Sequence, residues 1–181
     1  KGVIVAGIPR CGTTLMFRAL AGFPAGNTTP KNYYGKIKKT HGLAPTNLPR
    51  GYKAIFLFGD IVSSVISTKK SRYESNHFLN CGCSKKAEEV DIYKEDALNY
   101  ELMFDSWHQK HNYPVMCLRY EKIYQNINLI KAFLKTDISF PKKKKRTTKY
   151  ADCSKKELKQ IKHTYKPLID KIKKVPNVSI Y

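Results

Sequence analysis

Val3-Ile-Val-Ala-Gly7-Ile-Pro-Arg10-Cys-Gly12-Thr13-Thr14-Leu-Met16 is the stretch on which the fold turns. Residues 3–7 form a short apolar run of the kind a strand buried on both faces needs, and residues 13–21 carry a helical pattern. A strand, a glycine-bounded loop and a helix, in that order, aim successive backbone N–H groups and the positive end of the helix dipole at one spot. Such a spot favours phosphate or sulfate. The spacing from Gly7 to Gly12 resembles G-x-x-x-x-G-K-[ST], but Thr13 stands at the lysine position. Arg10, inside the loop, supplies positive charge from another direction, and the hydroxyls of Thr13 and Thr14 can donate to terminal oxygens.

Outward from this loop, two further apolar runs at 54–58 and 115–118 read as buried parallel strands, with a weaker strand at 36–40. Helical stretches at 61–70 and 123–134 follow the second and third runs. Strand alternating with helix predicts an α/β fold: three layers, α/β/α, around a mostly parallel central sheet. In the stretch 87–110, Tyr93, Ala97, Tyr100, Phe104 and Trp107 recur at three-and-four spacing, which predicts one helix with an aromatic core face. The run Pro141-Lys-Lys-Lys-Lys-Arg146 cannot pack and reads as a loop. Ser154-Lys-Lys-Glu157 has capping-box spacing, with Leu158, Ile161, Tyr165 and Ile169 on one face, and Pro167 predicts a kink or split. No repeat or linker divides the chain, so residues 1–181 are expected to form one domain.

Thirty-four Lys and Arg against fourteen Asp and Glu give a net charge of +20, which concentrates anions near the surface. Nucleic acid, anionic membrane and small phosphorylated molecules all fit that charge, as does a solvated lysine-rich surface without a special partner. No apolar run approaches the roughly 20 residues that would span a bilayer. With no signal-peptide pattern, the expected address is cytoplasmic. The five cysteines are odd in number and lack C-x-x-C spacing, so they read as reduced thiols. His77, His108, His111 and His163 sit at no ligand-like spacing and read as surface residues; no metal is expected.

Pro9-Arg10-Cys11-Gly12-Thr13-Thr14-Leu15 resembles the loop P-[KR]-[SC]-G-[ST]-[ST]-[WL] by which sulfotransferases, a family with a P-loop NTPase-like fold, hold 3′-phosphoadenosine 5′-phosphosulfate (PAPS). Lys39-Thr40-His41, followed by Pro45 and Pro49, resembles the family's K-T-H-x-x-P segment, and Tyr120-Glu121 with the helix after it resembles its Y-E-D-L segment. The three occur in family order over residues 1–135. The resemblance implies His41 as general base, Arg10 and Lys39 as charge neutralisers at the breaking bond, and the 9–15 loop with Ser67 and Tyr120 as the cofactor site. One element departs from the pattern: Gly59-Asp60-Ile61 stands where the family has R-[ND]-P, so its 3′-phosphate arginine is missing although Ser67 is present. Lys69, Lys70, Arg72 and the 142–146 run are candidate replacements. The sulfuryl acceptor, a small molecule, glycan or polypeptide, is left open, its pocket falling to the loops 27–36 and 71–86. Two alternatives stand beside this reading. A P-loop kinase or nucleotidase would use Asp60 to hold magnesium, against which Thr13 counts. A basic nucleic-acid-binding module would use the lysine runs, and nucleic acid is the less expected partner.

Overall fold

The computed structural model describes residues 2–22, 36–71, 74–143 and 150–181. Its centre is a five-stranded sheet of β1 (Val3–Gly7), β2 (Ile37–Thr40), β3 (Lys53–Phe58), β4 (Val115–Arg119) and β5 (Val178–Ile180). The strand order is β2-β1-β3-β4-β5; the first four are parallel, and β5 runs antiparallel to β4. This is the α/β architecture, with a mostly parallel sheet, that the sequence predicts. The edge strand β5 is an addition, because three residues are too short for a period to be read.

Alternate strand residues feed two cores. Ile4, Ala6, Ala54, Phe56, Phe58, Val115 and Cys117 face one way, against α2 (Ile61–Lys69), α4 (Tyr100–Trp107), α6 (Lys155–Thr164) and α7 (Lys166–Lys174). Val5, Ile55, Leu57, Met116 and Leu118 face the other, against α1 (Thr13–Ala21) and α5 (Ile127–Leu134). Both faces are therefore covered, which is why β3 and β4 read as continuous apolar runs rather than alternating ones. Each large side chain buried in this way contributes about 1.5–3 kcal/mol. Phe56 stacks on Trp107 with ring centroids 5.9 Å apart, tying α4 to the sheet.

Three sequence expectations are corrected. The stretch 87–110 is not one helix: only α4 and a 3₁₀ turn at Ala87–Glu89 are helical. Aspartate side chains take backbone N–H groups between them and at the first turn of α4. Asp91 accepts from Tyr93 at 3.1 Å, and Asp96 accepts from Tyr100 and Glu101 at 2.9 Å each. The aromatic residues are core all the same. The helix expected at 123–134 is divided into a 3₁₀ segment, Tyr120–Gln125, and α5, because the Asn126 side chain donates to the Lys122 carbonyl at 2.8 Å. The 71–86 segment, read as a loop, contains α3 (Glu74–Asn80). Of the 141–146 run, Pro141–Lys143 has no regular structure, and the rest lies outside the described residues.

The C-terminal helices follow the expected signals. Glu157 N–H donates to the Ser154 hydroxyl at 3.2 Å, and Ser154 N–H to the Glu157 carboxylate at 2.7 Å. Pro167 falls in the first turn of α7, where its missing N–H is harmless, so the chain breaks between α6 and α7. Replacing Ser154 with Ala should cost about 1 kcal/mol and lower Tm by roughly 2–4 °C in thermal denaturation. An unchanged Tm would mean that water replaces the cap.

Candidate functional site

The strand order reverses between β1 and β3, and their C-terminal ends open a crevice there, the usual ligand position in an open α/β sheet. The loop at 7–14 leaves β1 at this point. Ile8 N–H donates to the Leu57 carbonyl at 3.0 Å, Cys11 N–H closes a turn on Ile8 at 3.1 Å, and Met16 N–H bonds Gly12 at 3.0 Å to begin α1. A Cβ on Gly7 would lie 2.5 Å from the Leu57 carbonyl oxygen, so the tight passage of loop over β3 needs glycine. Gly12 has φ +83°, and a Cβ there would lie 2.4 Å from the Tyr120 ring. Tyr120 thus packs directly on the loop.

Arg10 has φ 65°, a left-handed conformation uncommon for a side-chain-bearing residue. It turns the guanidinium toward α2, where Nε donates to the Ser67 hydroxyl at 2.9 Å. The Ser64 hydroxyl, also on α2, donates to the Pro9 carbonyl. Pro9, Cys11 and Thr13 are buried, Leu15 is half-buried and Thr14 is exposed. The Thr13 methyl packs under Gly7, and Thr14 is the threonine at the surface of the loop.

β2 brings in the second group of residues. Its register pairs Val5 with Lys39 and Ala6 with Thr40, so the next residue, His41, emerges beside Gly7. His41 is 4% exposed, with Nδ1 2.6 Å from the Gly7 carbonyl oxygen. A carbonyl only accepts, so Nδ1 carries the proton and a neutral ring presents its lone pair at Nε2. Burial pushes the His41 pKa down to about 4; the bond to Gly7 opposes this and the Lys39 charge adds to it. The Lys39 ammonium donates to the Thr14 hydroxyl at 3.2 Å. Burial, with Arg18 nearby, lowers its pKa. The segment beyond His41 is braced from α4: the Trp107 indole donates to the Gly42 carbonyl at 3.0 Å.

His41, Lys39, Arg10, Ser67, Tyr120 and the loop are therefore brought together. The histidine reading is corrected at three positions. His77 is buried, and its ring meets that of His41 edge-on at 5.4 Å. His108 and His111 are half-buried among aromatic rings, while His163 is exposed as expected. Nothing in the spacing marked His77, because it lies in a segment without a strong periodic pattern. No group of three or more His, Cys, Asp or Glu that could hold a metal occurs among the described residues. No described helix is long and apolar enough to cross a membrane, and none of the five cysteines, all among the described residues, forms a disulfide.

At the departure from the family pattern, a Cβ on Gly59 would lie 2.9 Å from a Glu121 carboxylate oxygen, which also accepts the Asp60 N–H at 3.1 Å. The Asp60 carboxylate receives the hydroxyls of Ser63 and Tyr150, at 2.5 and 2.8 Å. Beside these residues lies a cavity of about 500 Å³ lined by Gly59, Asp60, Arg119, Tyr150, Lys162 and Lys166 among others. Arg119, paired in register with Phe58, lies over the Phe58 ring at 5.3 Å and donates to the Ile172 carbonyl at 2.8 Å. Its Nε is buried without a partner among the described residues. Of the candidate replacements, Lys69 pairs with Glu74 and Asp91 at 3.8 and 3.9 Å, and Arg72 lies outside the described residues.

Two predictions follow from this geometry. Gly12→Ala should destabilise the chain by more than the roughly 1–2 kcal/mol of a left-handed alanine, because the methyl also meets Tyr120. Adding Tyr120→Ala should restore part of that loss in a double-mutant cycle of denaturation midpoints; strict additivity would refute the contact. The second concerns acid. Burial lowers His41, His77 and His108 from an ordinary 6.5 to about 4. Between those values the unfolded chain binds more protons than the folded one, so stability is present above pH 6.5 and falls as the pH drops toward 4. Denaturant titrations between pH 6 and 5 should give a slope equivalent to about two and a half protons taken up on unfolding, and a flat profile would contradict the burial of these rings.

No protein-family model matches the chain, and no curated protein sequence matches it.

Proposed function

We propose that this chain is a sulfotransferase of P-loop-like fold that moves the sulfuryl group of PAPS to a hydroxyl or amine acceptor by in-line displacement. The observation that carries this reading is the docking of Lys39-Thr-His41 on the phosphate loop, with His41 on the Gly7 carbonyl and Lys39 on the Thr14 hydroxyl. Two motifs that lie apart in sequence meet at one place, where the chemistry needs a base and an anion cradle together.

In this reading the acceptor oxygen forms a bond to sulfur and gives its proton to His41 Nε2. The bond from sulfur to the bridging oxygen breaks, and its electron pair stays on the 5′-phosphate of the departing 3′-phosphoadenosine 5′-phosphate. Arg10 and Lys39 stabilise that developing charge, and backbone N–H groups of Gly12–Leu15 hold the phosphate. Pro9 shapes the turn, Ser67 serves the 3′-phosphate, and Tyr120, lying on Gly12, borders the adenosine. Arg119 stands at the next strand end from Gly59 and is the cation we assign to the 3′-phosphate in place of the family's arginine.

Calorimetry with 3′-phosphoadenosine 5′-phosphate against magnesium-ATP tests this directly, with tighter binding expected for the former. The reverse order would favour a kinase, and steeply salt-dependent duplex binding with neither nucleotide bound would favour a nucleic-acid module. His41→Ala should lower turnover by about 10²–10⁴ while affinity for the cofactor product stays near constant. The low His41 pKa also places the acid limb of kcat/KM below the ordinary histidine range, since the base is active when unprotonated. Arg10→Ala should reduce kcat more than affinity, because its charge counts most in the transition state. Full activity of His41→Ala on both a phenol and a sugar acceptor would remove His41 from the mechanism.

A further inference from the structure

His77 reaches the His41 ring from α3. It is 9% exposed, and both of its ring nitrogens are buried without a hydrogen-bond partner among the described residues. Buried polar atoms are rarely left this way, and two on one ring call for a reason. A purely structural ring in this position would be better served by phenylalanine, which fills similar space without desolvating two nitrogens. The ring lies edge-on to His41 at 5.4 Å, and it feels the charges of both Arg10 and Lys39. Those are the groups that surround the transferred group in the proposed function. Burial first, and then the cationic groups around it, keep the ring neutral near pH 7, with one N–H to donate and one lone pair.

We infer that His77 is a second imidazole of the transfer site, donating its N–H to a non-bridging oxygen of the sulfuryl group seated beside His41. This assignment rests on the sulfotransferase reading and adds a contact that none of the sequence motifs contains. A sulfuryl oxygen only accepts, and a neutral imidazole in a dry site supplies a donor without adding another charge to be neutralised. Because the product nucleotide lacks the sulfuryl group, the contact separates substrate from product. His77 should therefore matter for PAPS and for turnover, and hardly at all for 3′-phosphoadenosine 5′-phosphate.

The test compares His77→Phe and His77→Gln with the wild-type chain by Tm, by calorimetry with both nucleotides and by turnover. His77→Phe is expected to keep or raise Tm, to bind the product nucleotide as the wild type does, and to bind PAPS about 10-fold more weakly with turnover about 10–100-fold lower. His77→Gln, which retains an N–H, should recover part of that loss. In the wild type, ¹⁵N shifts of the His77 ring should differ between the PAPS and product complexes, a readout that does not depend on any variant folding. Equal PAPS affinity in His77→Phe, or identical ring shifts in the two complexes, would overturn the assignment and leave the function standing. A wild type that binds neither nucleotide would overturn both.

Discussion

The parallel register of β1 with β2 is the constraint from which the rest of the site follows. It sets Thr40 opposite Ala6, so the chain leaving β2 delivers His41 to the carbonyl of Gly7. A slip of one residue would turn Lys39 and every other side chain of β2 to the opposite face and take the imidazole from the loop. The register is held from both ends. Val3 N–H bonds the Lys36 carbonyl at 2.8 Å before the strands pair, and Trp107 grips Gly42 after they part. The aromatic core under α4 thus helps to position His41. Gly7 is the hinge of this arrangement, since only a residue without Cβ lets its backbone pass Leu57 and still offer its carbonyl to His41.

Electrostatics then act on a site already fixed by the backbone. Lys39 is held by a hydroxyl rather than a carboxylate among the described residues, and its pKa is lowered. His41 and His77 are likewise pushed toward their neutral forms. All three shifts have one sense and one leading cause: burial disfavours the charged form of each group. On the proposed function, an arriving phosphate or sulfate would favour the charged forms again and exchange hydroxyl partners for charge-assisted hydrogen bonds, which are stronger. The left-handed Arg10 serves the same end, because its conformation directs the guanidinium to Ser67 on α2.

The parts of this site legible in the sequence are those coded locally. The apolar run ending at Gly7, the glycine and threonines of the loop, and the Ser154–Glu157 cap each carry a signal within a few residues, and each element forms where that signal lies. What stayed hidden depends on contacts between distant segments. The helix expected over 87–110 dissolves because Asp91 and Asp96, ordinary residues by composition, take backbone N–H groups that a helix would have used. His77 looked like a surface residue because burial is decided by what packs over α3, and no periodicity within 71–86 announces it. Arg119 was passed over for a related reason: its importance comes from standing across from Phe58 in the sheet, a register relation rather than a motif.

That relation bears on the one place where the chain departs from the family it resembles. An arginine at position 59 would have to displace Glu121, whose carboxylate fills the space a Cβ would need and holds the Asp60 N–H. Glycine at 59 and glutamate at 121 therefore belong together, and restoring the arginine alone would set a bulky side chain against a carboxylate already in use. Glu121 and Asp60 also leave this edge of the crevice negative on the β3 side, so an anion approaching there needs its cation from elsewhere. Arg119 is one strand over, with its Nε buried and unpartnered among the described residues and its planar head supported by Phe58 and the Ile172 carbonyl. A guanidinium fixed in this way loses little freedom on meeting a phosphate, and its fork geometry suits that partner better than an ammonium would. On the proposed function, the cation for the 3′-phosphate would stand at the end of β4 instead of the end of β3, still at the edge of the sheet where the proposed cofactor lies.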